Sequence, residues 1–353
     1  MASVDALELT LEDLERWCDA QGLPRYRASQ VTRWLYQQGV RDFAEMRTLP
    51  REAREALAAA YGIGTLTVRH VAHAIDGTTK LLFALPDGAT IEGVLIPDGR
   101  RLTLCVSTQV GCAMDCAFCA TATLGFGRHL TRGQIVEQFL LARAEAPVGS
   151  DGARDVITNM VFMGMGEPLH NYEGTVGAIG TLTAPWGAGV SPRRITVSTV
   201  GLVPQMQRLL EDTKVHLAVS LTAVDETLRR RLMPVTKRYS VDDLLAACRQ
   251  LPLPRRKRIT FEYVMLAGVN DAPEQARALM RALHGIRCKV NLIPYNPYPG
   301  GGFARSEDAV VARFADILRT GAVHATVRES RGSDIAAACG QLVAEDESRS
   351  TRG

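Results

Sequence analysis

The part of the chain after residue 101 alternates between strand-like and helix-like hydrophobic patterns, and this alternation restricts the possible folds more than any other feature. Repeated strand–helix units form a parallel sheet with right-handed crossovers, so the sequence predicts an α/β fold. Periodicity leaves open a curved partial barrel and an open, doubly wound sheet. The predicted strands are residues 102–107, 156–163, 195–199, 216–221, 259–265, 289–294 and 325–328. The predicted helices are residues 131–145, 172–182, 201–211, 241–251, 272–284 and 305–320.

Small and polar residues follow these predicted strands, at the end of a parallel sheet where loops converge on a ligand. The second strand ends in Gly-Met-Gly-Glu-Pro at 164–168, and the third in Ser-Thr at 198–199. The fourth ends in Ser-Leu-Thr at 220–222, and the sixth in Pro-Tyr-Asn-Pro at 294–297. Each group alone predicts only a turn or a cap. Together they predict a polar rim that holds a polar cofactor.

Four of the eight cysteines, the first of them Cys105, lie close together at the end of the first of these strands. Cys112, Cys116 and Cys119 are separated by three and then two residues, so one short loop can present three thiolates to one inorganic centre. An iron–sulfur cubane needs four ligands, and three cysteines leave one iron free to bind an amino acid through nitrogen and oxygen. The alternative is a structural zinc site with Cys105 or His129 as the fourth ligand. Zinc ligands usually come in two pairs, and the sequence offers no second pair.

Composition restricts the class of protein. An apolar content of 46% and a charged content of 22% are those of a folded globular chain. No secretion signal or run of about eighteen apolar residues occurs, so we expect a cytoplasmic protein without a membrane span. In a reducing compartment, thiols are more often ligands or catalytic groups than disulfides. The net charge of +3 does not diagnose nucleic-acid binding, and the basic runs at 229–231 and 255–258 are either solvated faces or RNA contacts.

The first hundred residues are organised differently. Residues 1–62 predict three helices: Thr10 and Asp13 cap the first, Gly39 ends the second and Pro50 starts the third. Alternating patterns and Asp-Gly turns then predict a hairpin sheet. Its strands are residues 66–73, 80–85 and 89–96.

These patterns predict a division of the chain into five parts. An N-terminal helical accessory domain and a short β extension precede the α/β core, and a C-terminal segment and a flexible tail follow it. The predicted boundaries are 1–65, 66–100, 101–300, 301–345 and 346–353.

Two isolated residues have more than one interpretation. Glu92 lies in an otherwise apolar strand. Its side chain either points outward into solvent or is a buried acid with a functional role, and the pattern favours the solvated side chain. Cys339 lies in a glycine-containing loop beside alanines, and is either a small buried residue or a functional thiol.

The cysteine motif, with an aromatic residue at Phe118 before its last cysteine, resembles that of the radical S-adenosylmethionine (SAM) enzymes. The glycine loop at 164–168 is similar to the Gly-Gly-Glu-type loop of the same enzymes. Several blocks in combination resemble the bacterial dual-specificity RNA adenine-C2 methyltransferases, and the similarity extends over nearly the whole chain. The matching blocks are Tyr-Arg-Ala-Ser-Gln-Val at 26–31, Trp-Leu-Tyr at 34–36, Cys-Val-Ser-Thr-Gln-Val-Gly-Cys at 105–112, Gly-Met-Gly-Glu-Pro at 164–168, Ile-Pro-Tyr-Asn-Pro at 293–297, Arg-Gly-Ser-Asp-Ile at 331–335 and Ala-Cys-Gly-Gln-Leu at 338–342.

This resemblance implies a partial (β/α)6 TIM-like barrel of the radical SAM type as the core at 101–300, behind the N-terminal helical domain and β extension. It implies methylation of carbon 2 of adenine 2503 in 23S rRNA and of adenine 37 in tRNAs. The implied cofactors are a [4Fe–4S] cluster and two molecules of SAM per turnover. The implied partners are the two RNAs and an external electron donor such as flavodoxin or ferredoxin, with the enzyme a monomer away from membranes.

The resemblance also assigns roles to single residues. It implies that Cys112, Cys116 and Cys119 bind the cluster. The Cys339 thiolate would take a methyl group from one SAM, and a deoxyadenosyl radical made from the second would abstract hydrogen from that methyl, so that the resulting carbon radical adds to the adenine. Cys105 would resolve the protein–RNA adduct by a transient disulfide with Cys339, and Glu92 would be the proton acceptor.

The residues implied to hold SAM lie on the predicted polar rim. Thr222 departs from the family, which commonly has histidine there, so a side-chain contact made by that histidine would change. The motifs leave open the sister activity, which methylates carbon 8 of the same rRNA adenine. The implied SAM-binding residues are Gly166, Glu167, Ser198, Ser220, Leu221, Thr222 and Asn296.

Overall fold

A ten-stranded mixed sheet organises the protein. The computed structural model describes residues 4–148, 154 and 156–343. The strands are β1 (Val4–Asp5), β2 (Tyr61–Gly62), β3 (Thr67–His73), β4 (Thr79–Ala84), β5 (Thr90–Asp98), β6 (Arg101–Cys105), β7 (Gln109–Gly111), β8 (Phe126–His129), β9 (Asn159–Phe162), β10 (Ile195–Thr199), β11 (His216–Ser220), β12 (Ile259–Met265), β13 (Cys288–Pro294) and β14 (Ala325–Val327). The α-helices are α1 (Leu11–Ala20), α2 (Tyr26–Thr32), α3 (Arg51–Ala60), α4 (Arg132–Ala144), α5 (Tyr172–Thr183), α6 (Val203–Asp212), α7 (Glu226–Leu232), α8 (Val241–Gln250), α9 (Pro273–Ala282) and α10 (Asp308–Thr320).

The strand order of the main sheet is β14-β13-β12-β11-β10-β9-β6-β5-β4-β3. All neighbours from β6 to β14 are parallel, and β3, β4, β5 and β6 pair in antiparallel fashion. The predicted hairpin sheet therefore exists, but it continues the parallel sheet through the pairing of β5 with β6. The parallel strands alternate with helices, as the sequence predicts.

The parallel part of the sheet is curved. Strands β6 and β13 are five positions apart, which in a flat sheet would separate them by about 24 Å. Residues that follow both strands nevertheless line one pocket, among them Cys112 after β6 and Asn296 after β13. The sheet is therefore the partial barrel and not the open, doubly wound form.

The N-terminal helices form as their capping residues predict. Thr10 and Asp13 make a reciprocal capping box at the start of α1. Pro50 is the N-cap of α3, and a π-helix that follows α2, Arg33–Gln38, ends at Gly39 in the left-handed conformation. Leu14, Val31, Leu35 and Leu57 are buried on the inner faces and join the hydrophobic core that extends through the barrel.

Five of the strands and α-helices were not predicted: the parallel pair β1 and β2, the hairpin strands β7 and β8, and helix α7. Each is too short to show a periodic hydrophobic pattern. The division of the chain at 65, 100, 300 and 345 stays a prediction. The predicted flexible tail at 346–353 lies outside the described residues.

Candidate active site

A large pocket opens at the carboxyl ends of the parallel strands, with an empty volume of about 1010 Å³. It brings together side chains that are up to about 230 positions apart in the sequence, because the loops after β6, β9, β10, β11 and β13 converge there. The predicted site residues in its lining are Cys112, Cys116, Cys119, Gly166, Glu167, Ser198, Ser220, Asn296 and Cys339.

The hairpin of β7 and β8 closes the base of the cysteine loop. The backbone N–H of Cys112 donates to the carbonyl oxygen of Gly125 at 2.7 Å. Gly111 has a φ of +68°, and a Cβ there would overlap the Gly125 carbonyl, so the two backbones approach as closely as they do only because residue 111 is glycine. The N–H of Ala117 donates to the carbonyl of Leu232, at the end of α7, at 3.0 Å. The loop is thereby fixed at its base and on one side.

The three thiols of this loop fit a cationic iron–sulfur cluster. Burial raises the pKa of Cys112 to about 12 and the pKa of Cys116 and Cys119 above the usual thiol value. Three neighbouring thiolates are therefore unfavourable there without a positively charged metal centre to bind. The described residues include no set of three or more His, Cys, Asp or Glu side chains placed to hold a single metal ion. All three thiols line one pocket, where they would hold three irons of a cubane and leave the fourth iron open.

Glu167 is a buried carboxylate that lines the same pocket. It accepts hydrogen bonds from the backbone N–H groups of Leu169 at 3.0 Å and Val200 at 2.9 Å. Burial nevertheless dominates and raises the pKa of Glu167 to about 7. Gly166, with a φ of +99°, lies against Gln109, where a Cβ would be 2.6 Å from the Gln109 Cβ. The loop thus presents a carboxylate and bare backbone to a ligand, which suits a bound ammonium group.

The other rim residues divide into two groups. Ser198, Ser220 and Asn296 line the pocket, and the Asn296 side-chain amide donates to the carbonyl of Cys339 at 3.2 Å. Leu221 and Thr222 are fully buried and do not line it. Any contact of these two residues with a ligand in this pocket would require rearrangement.

Thr222 has an unusual local structure. Its φ of +57° is rare for a β-branched residue. Its carbonyl accepts a hydrogen bond from the Asn270 side chain at 2.8 Å, whereas its hydroxyl is buried and has no hydrogen-bond partner within the described residues. Residue 222 therefore serves as a turn at the end of β11 in this structure.

A second, smaller cavity adjoins the first and shares Cys339 with it. Cys105 lines this second cavity, so the structure brings together the two thiols that the resemblance pairs. Both are free cysteines, and burial raises the pKa of Cys105 to about 12. Arg328 lines both cavities, and its pKa is raised, chiefly by Cys339.

The loop that carries Cys339 is held against the cysteine loop by hydrogen bonds. The N–H of Ala120 donates to the Gly340 carbonyl at 2.7 Å, and the Thr121 hydroxyl donates to the Leu342 carbonyl at 2.7 Å. Since Ala120 and Thr121 directly follow Cys119, these bonds fix the position of Cys339 relative to the three other cysteines. Cys339 therefore lies in the candidate site and is not simply a small buried residue.

Glu92 is buried, with 1% of its surface exposed, so the solvated side chain favoured by the sequence pattern is wrong. One carboxylate oxygen lies 3.1 Å from the Lys80 ammonium, and the other accepts from the N–H of Val343 at 3.0 Å. Val343 lies about 250 residues further along the chain, so the C-terminal segment supplies one of the partners of this buried carboxylate. Glu92 lines neither cavity, but its strand β5 pairs with the strand that ends in Cys105.

The basic run at 229–231 is also not simply a solvated face, because Arg229 is 1% exposed. Its guanidinium donates to the carbonyls of Val200, Ser220 and Leu221 at 2.8 to 3.1 Å, and to the Thr236 hydroxyl at 2.7 Å. It ties together the strand ends that form the rim. Only Arg230 and Arg231 are exposed.

Sequence analysis did not find Glu262, on β12, which lines the main pocket. One of its oxygens accepts from the Asn291 side chain at 3.1 Å, and the other is buried with no hydrogen-bond partner in the described part of the chain. The signal could have been an acidic residue within a mostly apolar strand, which is the pattern that singled out Glu92.

A partial barrel with three clustered cysteines after its first strand and a glycine–glutamate loop after its second is the arrangement of the radical SAM superfamily. The family model described as "Radical SAM superfamily" matches residues 106–280. The model of the "Ribosomal RNA large subunit methyltransferase N-terminal domain" matches residues 4–63. A crystal structure of a radical SAM methyltransferase from Sphaerobacter thermophilus superposes with a TM-score of 0.91 at 45% identity, covering 97% of this chain and 100% of that one.

Curated relatives narrow the family. The dual-specificity RNA methyltransferase RlmN of Syntrophobacter fumaroxidans is 48% identical over 98% of this chain and 99% of its own length. That of Anaeromyxobacter dehalogenans is 48% identical over 97% of this chain and 92% of its own length. The chain belongs to the RlmN family of dual-specificity radical SAM RNA methyltransferases. None of the described helices combines the length and apolar character that a bilayer crossing requires.

Proposed function

We propose that this enzyme methylates carbon 2 of adenine 2503 in 23S rRNA and of adenine 37 in tRNAs, with a cysteine of its own as methyl carrier. One observation carries the proposal: Cys339 lines the pocket of the three clustered cysteines and also the adjoining cavity of Cys105. A methyl carrier must reach both the cofactors and the thiol that later releases the product. Cys339 is placed where the two cavities meet.

The residues of the main pocket would hold the cofactors. Cys112, Cys116 and Cys119 would bind a [4Fe–4S] cluster, with one iron left open. When bound, the cluster and SAM supply one-electron chemistry, which a non-nucleophilic adenine carbon requires. Glu167 would pair with the ammonium group of SAM, because its carboxylate faces the pocket from a buried position.

The remaining SAM contacts divide by position. Ser198, Ser220 and Asn296 would hydrogen-bond the polar groups of SAM, since all three line the pocket. We also retain Leu221 and Thr222 as proposed contacts, and each of them requires the turn after β11 to open.

Cys105 and Glu92 would complete the reaction. We propose that the Cys105 thiolate attacks the Cys339 sulfur of the protein–RNA adduct. A Cys105–Cys339 disulfide forms as the bond between the Cys339 sulfur and the methylene carbon breaks, and that carbon keeps the electron pair and takes up a proton to become the methyl group of the released RNA. An external dithiol then reduces the disulfide. Glu92 would accept the proton that leaves carbon 2. Its carboxylate lies 3.1 Å from the Lys80 ammonium, and the strand that holds it pairs with the strand of Cys105.

The same proposal extends to the organisation and partners of the enzyme. The N-terminal domain at 1–65 and the β extension at 66–100 would flank the barrel at 101–300, and the segment at 301–345 would deliver Cys339. An external donor such as flavodoxin or ferredoxin would reduce the cluster, and the enzyme would act as a monomer. Ribosomal and transfer RNA as substrates place it in the cytoplasm.

Nucleoside mass spectrometry tests the proposal. Ribosomal RNA and tRNA from cells with the gene should contain 2-methyladenosine at the two positions, and RNA from cells without the gene should lack it. The two methyladenosine isomers are separated against standards. An 8-methyladenosine product would replace our proposal with the sister activity, and colourless protein that holds zinc after anaerobic purification would contradict the radical mechanism altogether.

A further inference from the structure

Three aromatic rings form an exposed cluster beside the mouth of the pocket. The ring centroids of Phe126 and His129 are 5.2 Å apart, those of Phe126 and His170 are 5.4 Å apart, and those of the two histidines are 4.9 Å apart. Phe126 is 44% exposed, and both histidines are exposed. Nothing in the cofactor site described above requires these rings.

A buried glutamine fixes both histidines in one tautomer. The Gln109 side-chain oxygen accepts a hydrogen bond from the N–H of Glu167 at 2.8 Å, so its nitrogen faces the histidines. That nitrogen is a donor only, and it lies 3.0 Å from the Nδ1 atom of His129 and 3.0 Å from that of His170. Both Nδ1 atoms therefore accept, and both neutral rings carry their proton on Nε2, away from the glutamine. Burial and the neighbouring His170 lower the pKa of His129, which favours the same neutral form.

Two chain segments connect the lining of the pocket to the aromatic rings. Thr121 and Ala122 line the pocket, and the same segment leads on to Phe126. Pro168 lines it as well, two residues before His170. A polymer whose target base enters the pocket must therefore lay its neighbouring residues on or near these rings.

We propose that Phe126, His129 and His170 form a stacking platform for a nucleobase that neighbours the target adenine of the RNA. This inference rests on the proposed function, because it assumes that an RNA adenine enters the pocket. Single-stranded RNA is recognised by bases stacked on aromatic and histidine rings and hydrogen-bonded at their edges. The platform offers both features, since its faces are aromatic and its Nε2–H groups are free donors.

The charge of the surface favours a base over a phosphate or a charged protein. Arg128, the basic residue between the platform's members on β8, pairs with Asp87 at 2.7 Å and also donates to Gln134. Its charge is therefore already neutralised. What the surface presents is ring faces and N–H groups, and stacking on ring faces does not require net charge.

Binding of an RNA stem-loop by the cluster-loaded enzyme tests the platform. The probe carries the target adenine and a fluorescent 2-aminopurine at each neighbouring position in turn. Phe126→Ala should weaken binding roughly tenfold, as expected for one lost base–aromatic stack, and should abolish the quenching of 2-aminopurine at one position. Phe126→Trp should keep both, and His129→Ala should act in the same direction as Phe126→Ala. His284→Ala, at an exposed histidine after α9 on the opposite side of the barrel, is the matched control.

Two further measurements separate the alternatives. Reductive cleavage of SAM without RNA, driven by a chemical reductant, should not change in Phe126→Ala. A loss of this cleavage would mean that the three aromatic rings support the cofactor site, and it would overturn the proposal. Normal RNA binding combined with slow turnover that a chemical reductant restores would identify the surface as the docking site of the electron donor, and would also overturn it. If the unaltered enzyme methylates no adenine, the proposed function is wrong, and the stacking platform, which rests on that function, is wrong as well.

Discussion

Cys105 and Cys339 lie at opposite ends of the barrel sequence and line one cavity, so single substitutions can separate their roles. We predict that Cys339→Ala abolishes methyl transfer, because among the described residues no other cysteine thiol lines both cavities. The cluster should be retained, since Cys112, Cys116 and Cys119 remain. Iron content and the visible spectrum, measured with nucleoside mass spectrometry, check both statements. Loss of iron in Cys339→Ala would mean that Cys339 is a cluster ligand instead.

Cys105→Ala should give a different result. Without the thiol that attacks the Cys339 sulfur, the protein–RNA adduct cannot be released, and we predict a covalent complex that survives denaturing gel electrophoresis. Cys288→Ala, a half-buried cysteine on β13, serves as the control and should leave no adduct. Free product from Cys105→Ala at the rate of the unaltered enzyme would contradict the assignment.

Glu167 gives a pH-dependent prediction. Its pKa is about 7 against an ordinary value of 4.5, so the folded, ligand-free protein favours the protonated form. Protonation of Glu167 therefore contributes stability to the folded protein. This contribution is fully present below about pH 4.5 and is lost as the pH rises through about 7. Binding of an ammonium group needs the carboxylate, so SAM affinity should fall as the pH drops below about 7, by up to about tenfold per unit. Calorimetric titration of the cluster-loaded enzyme checks this; the same slope in Glu167→Gln would assign it to another group.

At the residue scale, the sequence predicted residues that meet in one pocket, but not the burial of the charged side chains around it. The three cysteines, Glu167 and Cys339 were identified by spacing and resemblance, and the structure places all of them in one pocket. For Glu92 the pattern favours a solvated side chain, and for Arg229 it leaves open a solvated face and an RNA contact. Both side chains are buried: Glu92 accepts from Val343, about 250 residues further along the chain, and Arg229 donates to carbonyls at the ends of β10 and β11, and these distant partners are not visible in a local pattern.

At the element scale, long periodic segments were predictable and short ones were not. All strands of the main sheet and helices α4, α5, α6, α8, α9 and α10 lie where hydrophobic spacing predicts them, within a few residues. The hairpin of β7 and β8 was missed because its strands have three and four residues and contain glycine. Yet this hairpin sets the shape of the cysteine loop.

We therefore predict that Gly111→Ala disrupts the cluster site. A methyl group at residue 111 would overlap the carbonyl of Gly125, which accepts the hydrogen bond from Cys112, and φ is positive there. We expect less than half of the iron content of the unaltered protein after anaerobic reconstitution. Gly99→Ala is the matched control, because φ is also positive but nothing lies within 4 Å of the added carbon. Equal iron loss in both variants would show that backbone conformation, and not the close approach, is responsible.

At the scale of the whole molecule, the sequence predicted the order of the parts but not how they are joined. Curvature of the sheet is a property of contacts between strands, so periodicity could not separate a barrel from an open sheet. The packing of the N-terminal domain on the barrel likewise depends on contacts between distant residues. The clearest of these is made by Glu137 on α4, whose side chain is 0% exposed.

Glu137 joins the N-terminal domain to the barrel through three donors. Its carboxylate pairs with the Arg41 guanidinium and accepts from the backbone N–H groups of Thr65 at 2.7 Å and Leu66 at 2.9 Å. Thr65 and Leu66 lie at the predicted boundary between the helical domain and the β extension. Removing the carboxylate leaves the buried Leu66 N–H and the half-buried Thr65 N–H without their acceptor, and the Arg41 guanidinium keeps only the Leu66 carbonyl, which together costs about 3 kcal/mol.

We predict that Glu137→Ala lowers the free energy of unfolding by about 3 kcal/mol and exposes the chain near residue 65 to proteolysis. Arg41→Ala should cost less, because the Arg41 side chain is 41% exposed and the two backbone donors keep their acceptor. Urea denaturation and limited proteolysis with mapping of the first cleavage check both variants. Glu173→Ala removes an exposed carboxylate that pairs with Arg208 and should change little. If Glu137→Ala unfolded the whole chain without an early cut near residue 65, the helical domain and the barrel would be one cooperative unit, and the boundary predicted there would be wrong.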